Sequence, residues 1–420
     1  MPDVSLLTDQ TQGRKTGQMR DQRVVFISSM IALLPITAFL RFPIVSMGLG
    51  MVGLIVLVPW LFRINQGRVP YDTLGKLSGV ILFCFYSMTR STGNMTNLIG
   101  FGLLMIWIAG TYDKWIDASL ILKIMTYVAL AASIIVMLQT ICHYLFGFHL
   151  IATIPFLIKE SSRKQYELAI LTGYDFASQL YRPCAFFFEP SHFAQYSIGA
   201  LLWCLLKEEE KNRIGKAVMI SVGIALSTSG MGIAMVGGAW LVYVLLGSNL
   251  RDVSNLIKAG ILLAIFALAL LLLWQLPFFR NAINRVTGRE GGLTAVQGRL
   301  FWWNYYFSHL SRTQLILGLG YGAETGKYMT GFMEMLYCTG YAGLASFYYM
   351  LLHRIRQRSM FSIIFSCFYG VLVIFSGLTT IIHLVFFLTI IFAEDSRIGE
   401  GTDDSNIDLQ KAADNRRAMT

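Results

Sequence analysis

Runs of apolar residues long enough to cross a lipid bilayer recur along the chain from Val24 to Ala393. Only structures that satisfy their own backbone hydrogen bonds can cross lipid, so runs of this length predict α-helices. Hydrophobic residues make up 55% of the chain and charged residues 14%, and the mean hydropathy of +0.57 excludes an ordinary soluble domain. We therefore expect an all-α, polytopic helical membrane protein.

Apolar length and flanking charges together predict twelve transmembrane helices. Their expected ranges are 24–40, 44–62, 74–90, 95–112, 119–142, 190–206, 216–228, 231–247, 259–276, 331–352, 360–375 and 378–393. The stretch "STSGMG" at 227–232 interrupts an apolar run that is too long for one span, and it predicts a turn between two short helices. The expected organisation is a cytoplasmic tail at 1–23, a transmembrane domain at 24–393 and a disordered cytoplasmic tail at 394–420.

The distribution of basic residues predicts the orientation of the chain. Arg14, Lys15, Arg20 and Arg23 precede the first apolar run, and no cleavage pattern follows it, so the first helix is expected to be an uncleaved signal anchor. The net charge of +10 then reflects the excess of lysine and arginine in cytoplasmic loops rather than binding to nucleic acid. The six cysteines show no close spacing typical of a metal or redox site.

Two long segments, 143–189 and 277–330, are predicted on the non-cytoplasmic side. The second collects cations against only two carboxylates, Glu290 and Glu324; these cations are Arg280, Arg285, Arg289, Arg299, Arg312 and Lys327. Long loops cross membranes regardless of charge, which is one explanation, but guanidinium groups also bind phosphate well, and we favour an anion site. Apart from Glu334 and His383 near helix ends, the spans hold almost no ionisable residues, which argues against an ion-coupled transporter.

The first segment ends with "YRPCAFFFEPSHFAQY" at 181–196, where Pro190 suits the first turn of a helix and Glu189 the cap before it. Glu189 is either a helix cap paired with Arg182 or a carboxylate that orients or deprotonates a sugar hydroxyl. His192 is a second candidate base, with hydrogen bonding at the membrane interface as the alternative. Arg163 lies in a predicted surface helix at 159–171, where a solvated charged face is the simpler interpretation.

Aromatic residues dominate "GRLFWWNYYFSHLSRTQLILGLGYG" at 298–322, with Arg299, Trp302, Trp303 and Tyr306 at helical spacing. They form either an interfacial aromatic belt or a surface that packs on a lipid-linked sugar while arginine neutralises its phosphate. The glycines of "GLGYG" predict a flexible turn whose amides approach an anion. We find no metal, nucleophile or nucleotide motif, which predicts a metal-independent site without a cofactor.

These motifs resemble those of a known family. The stretch at 181–196, "GRLFWWNYYF", "LILGLGYG" and "EMLYCTGYAGL" are similar to bacterial Wzy-type O-antigen and capsular polysaccharide polymerases, which share a superfamily with O-antigen ligases. The resemblance implies polymerisation of undecaprenyl-pyrophosphate-linked oligosaccharide repeat units at the outer face of the bacterial cytoplasmic (inner) membrane. The flippase and the chain-length regulator of the same pathway are then expected partners.

The resemblance also implies roles for particular residues. Arg182, Arg299, Arg163 and Arg312 would contact pyrophosphate or sugar, and Glu189 would lie near the reacting hydroxyl. Related ligases carry a histidine shortly before the span that begins here with "TGFMEMLY", and this chain lacks it, which argues against the alternative of a ligase and leaves the general base unassigned. A lipid-linked oligosaccharide flippase, which makes no bond, is the alternative of another class.

Overall fold

Helices form nearly all of the regular structure in the part of the chain that the computed structural model describes. The described residues are 22–37, 40, 49–64, 116–152, 174–175, 180–247, 275, 280, 284, 301–320, 323, 329–352, 358–376 and 382–394. The helices are α1 (Gln22–Thr37), α2 (Leu49–Ile64), α3 (Ala118–Phe146), α4 (Pro190–Leu206), α5 (Arg213–Leu226), α6 (Gly230–Gly247), α7 (Trp303–Phe307), α8 (Arg312–Leu317), α9 (Gly331–Leu352), α10 (Met360–Phe375) and α11 (Ile382–Glu394). Before α4, the strands β1 (Tyr174–Asp175) and β2 (Leu180–Tyr181) pair as a short antiparallel hairpin.

The mostly helical fold confirms the coarse prediction. Nine of the predicted spans coincide with α1 to α6 and α9 to α11, and the turn at 227–229 separates α5 from α6 where "STSGMG" predicted it. The predicted spans 74–90 and 95–112 lie outside the described residues, as does 259–276 apart from residue 275. Most of the two predicted tails, 1–21 and 395–420, also lies outside them.

The number of membrane crossings is a finer prediction than the structure supports. Among the described residues, α3 alone is both long and apolar enough to cross a bilayer. The apolar helices α1, α6, α10 and α11 fall in the range of 10–17 residues by the same measure. A helix rises about 1.5 Å per residue, so about 16 residues reach only about 24 Å of a hydrocarbon core about 30 Å thick. The twelve spans are therefore not confirmed.

Helix α3 buries a few polar side chains among apolar ones and leaves a largely apolar face exposed. Thr126 and Ser133 are buried, and their hydroxyls donate to the carbonyls of Leu122 and Ala129, each at 2.8 Å. The opposite face leaves large apolar side chains exposed, among them Ile134, Leu138, Ile141 and Leu145. An exposed apolar face of this kind is typical of a helix that contacts lipid or another protein there.

Small residues bring the central helices into close contact. A β-carbon on Gly223 of α5 would lie 2.4 Å from the Ser133 hydroxyl of α3. One on Gly232 of α6 would lie 2.6 Å from the β-carbon of Ala194 in α4. Such approaches let backbones pack closely where the hydrophobic effect contributes little between helices. Together with α10 and α11, these helices share one large apolar core.

Ion pairs gather at one end of the bundle, which we call the charged end. Lys216 Nζ donates to Glu208 Oε1 at 2.7 Å and to Glu210 Oε2 at 2.5 Å. Lys123 Nζ lies 3.7 Å from Glu210 Oε1. The hydrogen bond from Lys216 holds the pKa of the Glu210 carboxyl below its ordinary value. This network joins the first turns of α3 to the loop between α4 and α5.

A second ion pair brings the last helix to the same end. Lys207, just after α4, pairs with Glu394 at the end of α11. The Lys207 ammonium also lies 5.7 Å from the ring centroids of Trp203 and Phe361. Because Phe361 belongs to the first turn of α10, the charged end contains the end of α4, the start of α10 and the end of α11.

The opposite end of the bundle, which we call the site end, contains the start of α4. The His192 ring in the first turn of α4 lies 5.9 Å from the His383 ring at the start of α11. The amide of Gly331 donates to the Ser376 carbonyl at 2.7 Å, so α9 starts where α10 ends. Helices α4 and α11 therefore run from the site end to the charged end, and α10 runs in the opposite direction.

The segment 301–320 lies against the half of α9 nearer the site end. Helix α9 is kinked at Gly340, whose φ is 66°. The kink interrupts the hydrogen bonds within the helix and frees carbonyls for other partners. The amides of Leu319 and Gly320 donate to the carbonyls of Tyr337 and Cys338 at 3.0 and 2.9 Å. Parts of both predicted outer segments therefore lie toward one end of the bundle.

Candidate functional site

The structure describes seven of the nine predicted site residues. Arg182, Glu189 and His192 lie together before and within the first turn of α4, and Trp302, Trp303 and Tyr306 lie in or beside α7. Arg312 is exposed at the first position of α8. Arg163 and Arg299 lie outside the described residues, and their roles remain predictions.

Glu189 occupies the N-cap position of α4 but does not act as a side-chain cap. Pro190 begins the helix, as the sequence predicts, and the Glu189 backbone is extended with φ −144° and ψ 157°. Its carboxylate makes no capping hydrogen bond to the helix backbone; instead Ser191 Oγ donates to Glu189 Oε2 at 2.9 Å. The predicted cap position is therefore confirmed, while the carboxylate itself makes no hydrogen bond to the helix backbone, and its role toward a sugar hydroxyl stays a prediction.

The thiol of Cys184 shows that opposite charges meet in this turn. Burial and, to a lesser extent, the nearby Glu189 carboxylate raise the pKa of the Cys184 thiol, the Arg182 guanidinium opposes them, and the resulting pKa is about 12. The Cys184 thiol donates to the Phe187 carbonyl at 3.1 Å, which closes the turn. The Arg182 guanidinium and the Glu189 carboxylate therefore both lie close enough to influence one buried thiol.

Gln139, buried in α3, holds this turn in place. Its Nε2 donates to the Leu150 carbonyl at 3.0 Å, and its Oε1 accepts from the Ala185 amide at 2.9 Å. Ala185 has a φ of 53°, which costs a residue with a side chain about 1–2 kcal/mol. A buried amide that holds a strained backbone beside charged residues is typical of a preorganised site. The sequence shows Gln139 only as an isolated polar residue in an apolar run.

A narrow crevice opens beside His192. His192 stacks on Phe188 at 5.9 Å and faces His383 of α11 at the same distance. The crevice is lined by Pro35, Phe187, His192, Tyr196, His383, Phe386 and Phe387. Tyr196 closes one side and donates to the Ala32 carbonyl of α1 at 2.9 Å. Two imidazoles in an apolar crevice at the site end were not predicted as a pair, since 190 residues separate them in sequence.

Aromatic rings and imidazoles stack at the end of α3. His143 lies 4.0 Å from the Tyr181 ring and 4.9 Å from the His149 ring, between centroids. Burial raises the pKa of the Tyr181 hydroxyl above its ordinary value. Tyr181 directly precedes Arg182, so this stack supports the arginine from the side of α3.

The aromatic segment divides into a packed face and an exposed face. Tyr306 is buried against Tyr337, with ring centroids 5.1 Å apart, and Trp303 packs on Phe307 at 4.4 Å. The predicted roles of Trp303 and Tyr306 in sugar stacking are therefore weakened, because the fold of α7 against α9 occupies these rings. Trp302 is half-buried at the N-cap of α7. The predicted aromatic helix is a single turn.

The predicted anion-binding turn at "GLGYG" is wrong for its described residues. Gly318 donates its amide to the Gln314 carbonyl at 2.7 Å, and the amides of Leu319 and Gly320 bond to α9. These donors are already satisfied and cannot approach an anion. Arg312 remains a candidate for the phosphate, because a capping box between Ser311 and Gln314 orders the start of α8 beside it.

The site end thus brings a guanidinium and a carboxylate into the turn before α4, and a buried amide of α3 holds that turn in place. No family model matches the chain, and no curated protein sequence matches it.

Proposed function

We propose that the chain is a polysaccharide polymerase with twelve transmembrane helices. It joins oligosaccharide repeat units carried on undecaprenyl pyrophosphate by metal-independent glycosyl transfer, at the outer face of the bacterial cytoplasmic membrane. The resemblance of the motifs around Glu189 and at 298–344 to Wzy-type polymerases supplies the substrate class. The length of α3 and its exposed apolar face support the membrane location.

One observation carries the proposal furthest. Both segments that resemble polymerase outer loops, around Arg182 and at 301–320, lie toward the site end, and the described ion pairs gather at the charged end. A lipid-linked donor has its pyrophosphate at the membrane surface and its sugars in water, so its binding groups must converge at one end. Had the two segments lain at opposite ends, they could not share one substrate.

The proposed chemistry needs a leaving group, a nucleophile and a place for one proton. A hydroxyl oxygen of the incoming repeat unit forms a bond to the anomeric carbon of the growing chain. The bond from that carbon to pyrophosphate breaks, and undecaprenyl pyrophosphate leaves with the electron pair. The hydroxyl proton passes to a carboxylate within hydrogen-bond reach.

Arginines fit the charge that develops on the leaving group. Preorganised guanidinium groups stabilise such charge without reorganising during the reaction. We assign Arg182 and Arg299 to pyrophosphate, Glu189 to the acceptor hydroxyl or to the orientation of Arg182, and Arg163 and Arg312 to further contacts. His192 follows Glu189 in the first turn of α4 and stays a second candidate for the base.

Substitution of the two arginines assigned to pyrophosphate tests the proposal, with an arginine at the charged end as the control. In cells that depend on this chain for surface polysaccharide, Arg182→Ala and Arg299→Ala should each reduce long polymer about 100-fold, the typical cost of losing one donor to a developing charge. Lipid-linked single units should accumulate on the outer leaflet while protein levels in the membrane stay normal. Gel analysis of glycan length and immunoblotting provide the measurements.

Arg213→Ala is the matched control. Arg213 lies at the charged end and donates to the Glu208 carbonyl at 3.3 Å, so this variant should make normal polymer. Normal polymer from Arg182→Ala would contradict the proposal. Single units confined to the inner leaflet would instead support a flippase, and normal polymer that fails to reach its final acceptor would support a ligase.

A further inference from the structure

Three neighbouring aromatic rings at the site end stand nearly perpendicular to one another, and two of them are exposed. Phe301 and Tyr305 are each 57% exposed, in contrast to the buried Tyr306 and Phe307 on the other face of α7. The Trp302 ring stands between them, 5.1 Å from Phe301 at 89° and 5.8 Å from Tyr305 at 80°. Perpendicular rings of this kind present both faces and edges to a ligand. We call Phe301, Trp302 and Tyr305 the aromatic platform.

The surroundings of the aromatic platform are polar. Asn304, Ser308, His309 and Arg312 are all exposed within the same short stretch. By contrast, the exposed face of α3 presents Ile134 and other aliphatic side chains in succession, as hydrocarbon requires. Amide, hydroxyl, imidazole and guanidinium groups provide donors and acceptors that lipid tails cannot use and sugar hydroxyls can.

We propose that the aromatic platform binds a sugar ring of the oligosaccharide substrate. The apolar C–H face of a pyranose packs on Phe301 or Tyr305, and the neighbouring polar side chains bond its hydroxyls. This inference rests on the proposed function for the identity of the substrate. It moves the sugar contact from Trp303 and Tyr306, which the fold occupies, to the two exposed rings beside them.

Trp302 supplies the readout for a binding experiment. The purified protein in lipid nanodiscs is titrated with maltopentaose and, separately, chitopentaose at millimolar concentration, and tryptophan fluorescence is recorded. The chain has 8 tryptophans, so the same titration of Trp302→Phe isolates the contribution of Trp302. We expect at least one sugar to change the fluorescence and Trp302→Phe to lose that change.

Variants of the exposed rings test the contact itself. Phe301→Ala and Tyr305→Ala should each weaken sugar binding about 3- to 10-fold, the range for losing one aromatic contact. Tyr349→Ala is the matched control, since Tyr349 is 59% exposed in the half of α9 toward the charged end, and it should bind sugar normally.

Two results would overturn the aromatic platform. One is the absence of a fluorescence change with both sugars, or a change that persists in Trp302→Phe. The other is strong quenching of Trp302 by brominated phosphatidylcholine in the nanodisc, which would show that lipid covers the rings.

The two proposals fail separately. Sugar binding that requires Phe301 and Tyr305, combined with normal polymer in Arg182→Ala, would retain the aromatic platform and reject the polymerase mechanism. Loss of polymer in Arg182→Ala, combined with unchanged sugar binding in Phe301→Ala and Tyr305→Ala, would reject the aromatic platform alone.

Discussion

At the scale of single residues, the candidate site depends on a side chain that performs no chemistry. Gln139 joins the chain after α3 to the turn before α4 through two hydrogen bonds made by one buried amide. Leaving a buried donor or acceptor unsatisfied costs about 1–3 kcal/mol. The position of Arg182 and Glu189 therefore depends on a residue one helix away.

Gln139→Ala should reduce polymer formation and lower the thermal stability of the purified protein. The substitution removes both hydrogen bonds and releases Ala185 from its left-handed conformation, at an expected cost of about 2–4 kcal/mol. Differential scanning fluorimetry in detergent and glycan gels measure the two effects.

Ala185→Gly is the matched control for Gln139→Ala. Glycine adopts a φ of 53° without steric cost, so this variant should keep or raise the melting temperature. Unchanged stability and polymer in Gln139→Ala would show that the turn keeps its shape by other contacts.

At the scale of elements, the junction between α8 and α9 depends on the absence of two side chains. A β-carbon on Gly340 would lie 2.3 Å from the Ile316 carbonyl oxygen, and one on Gly318 would lie 2.2 Å from the Cys338 carbonyl oxygen. Both glycines have positive φ. The aromatic segment can approach α9 only because the backbones meet directly.

Gly340→Ala should destabilise the protein and expose the segment 301–320 to protease. The backbone cannot adopt its present φ of 66° cheaply with a side chain, and the nearest atoms belong to backbone that has little room to move. Limited proteolysis and thermal unfolding provide the measurements.

Gly215→Ala offers the opposite expectation from the same chemical change. Gly215 lies within α5 with nothing within 4 Å of an added β-carbon, so alanine should stabilise this helix by about 0.5–1 kcal/mol. Equal stability of both variants would contradict the role of the kink.

The sequence predicts helix ends where local chemistry determines them. Pro190 places the start of α4, and "STSGMG" places the turn between α5 and α6, because proline and small polar residues act on their own neighbours. The kink at Gly340 and the exposed faces of Phe301 and Tyr305 depend on which element packs against α9. That choice follows from contacts distant in sequence, so spacing alone could not predict it.

At the scale of the whole molecule, the ion pairs of Lys207 and Lys216 lie at one end of the bundle and the candidate site lies toward the other. Lys207 and Lys216 form ion pairs at the charged end, whereas Arg182 and the aromatic platform lie toward the other. The proposed membrane location and the positive-inside rule together predict that the charged end faces the cytoplasm.

Cysteine labelling tests this orientation. In a variant without the six native cysteines, Ser308→Cys should react with a membrane-impermeant maleimide on intact spheroplasts, because Ser308 is exposed beside the aromatic platform. Lys211→Cys, exposed at the charged end, should react only after lysis. Reaction of both from the same side would reject the membrane topology, and reaction of Lys211→Cys alone would reverse it.

The exposed apolar face of α3 and its few buried polar side chains affect how distant relatives of this chain can be recognised. In the proposed membrane location, the exposed residues Ile134, Leu138 and Leu145 face lipid. Lipid accepts any apolar side chain, so these positions can exchange one apolar residue for another during evolution. Thr126, Ser133 and Gln139 occupy interior positions that tolerate far fewer alternatives. Sequence similarity between distant relatives should therefore be retained longest at the few polar positions of the helices. Searches that give these positions more weight should detect more distant relatives than searches dominated by the apolar positions.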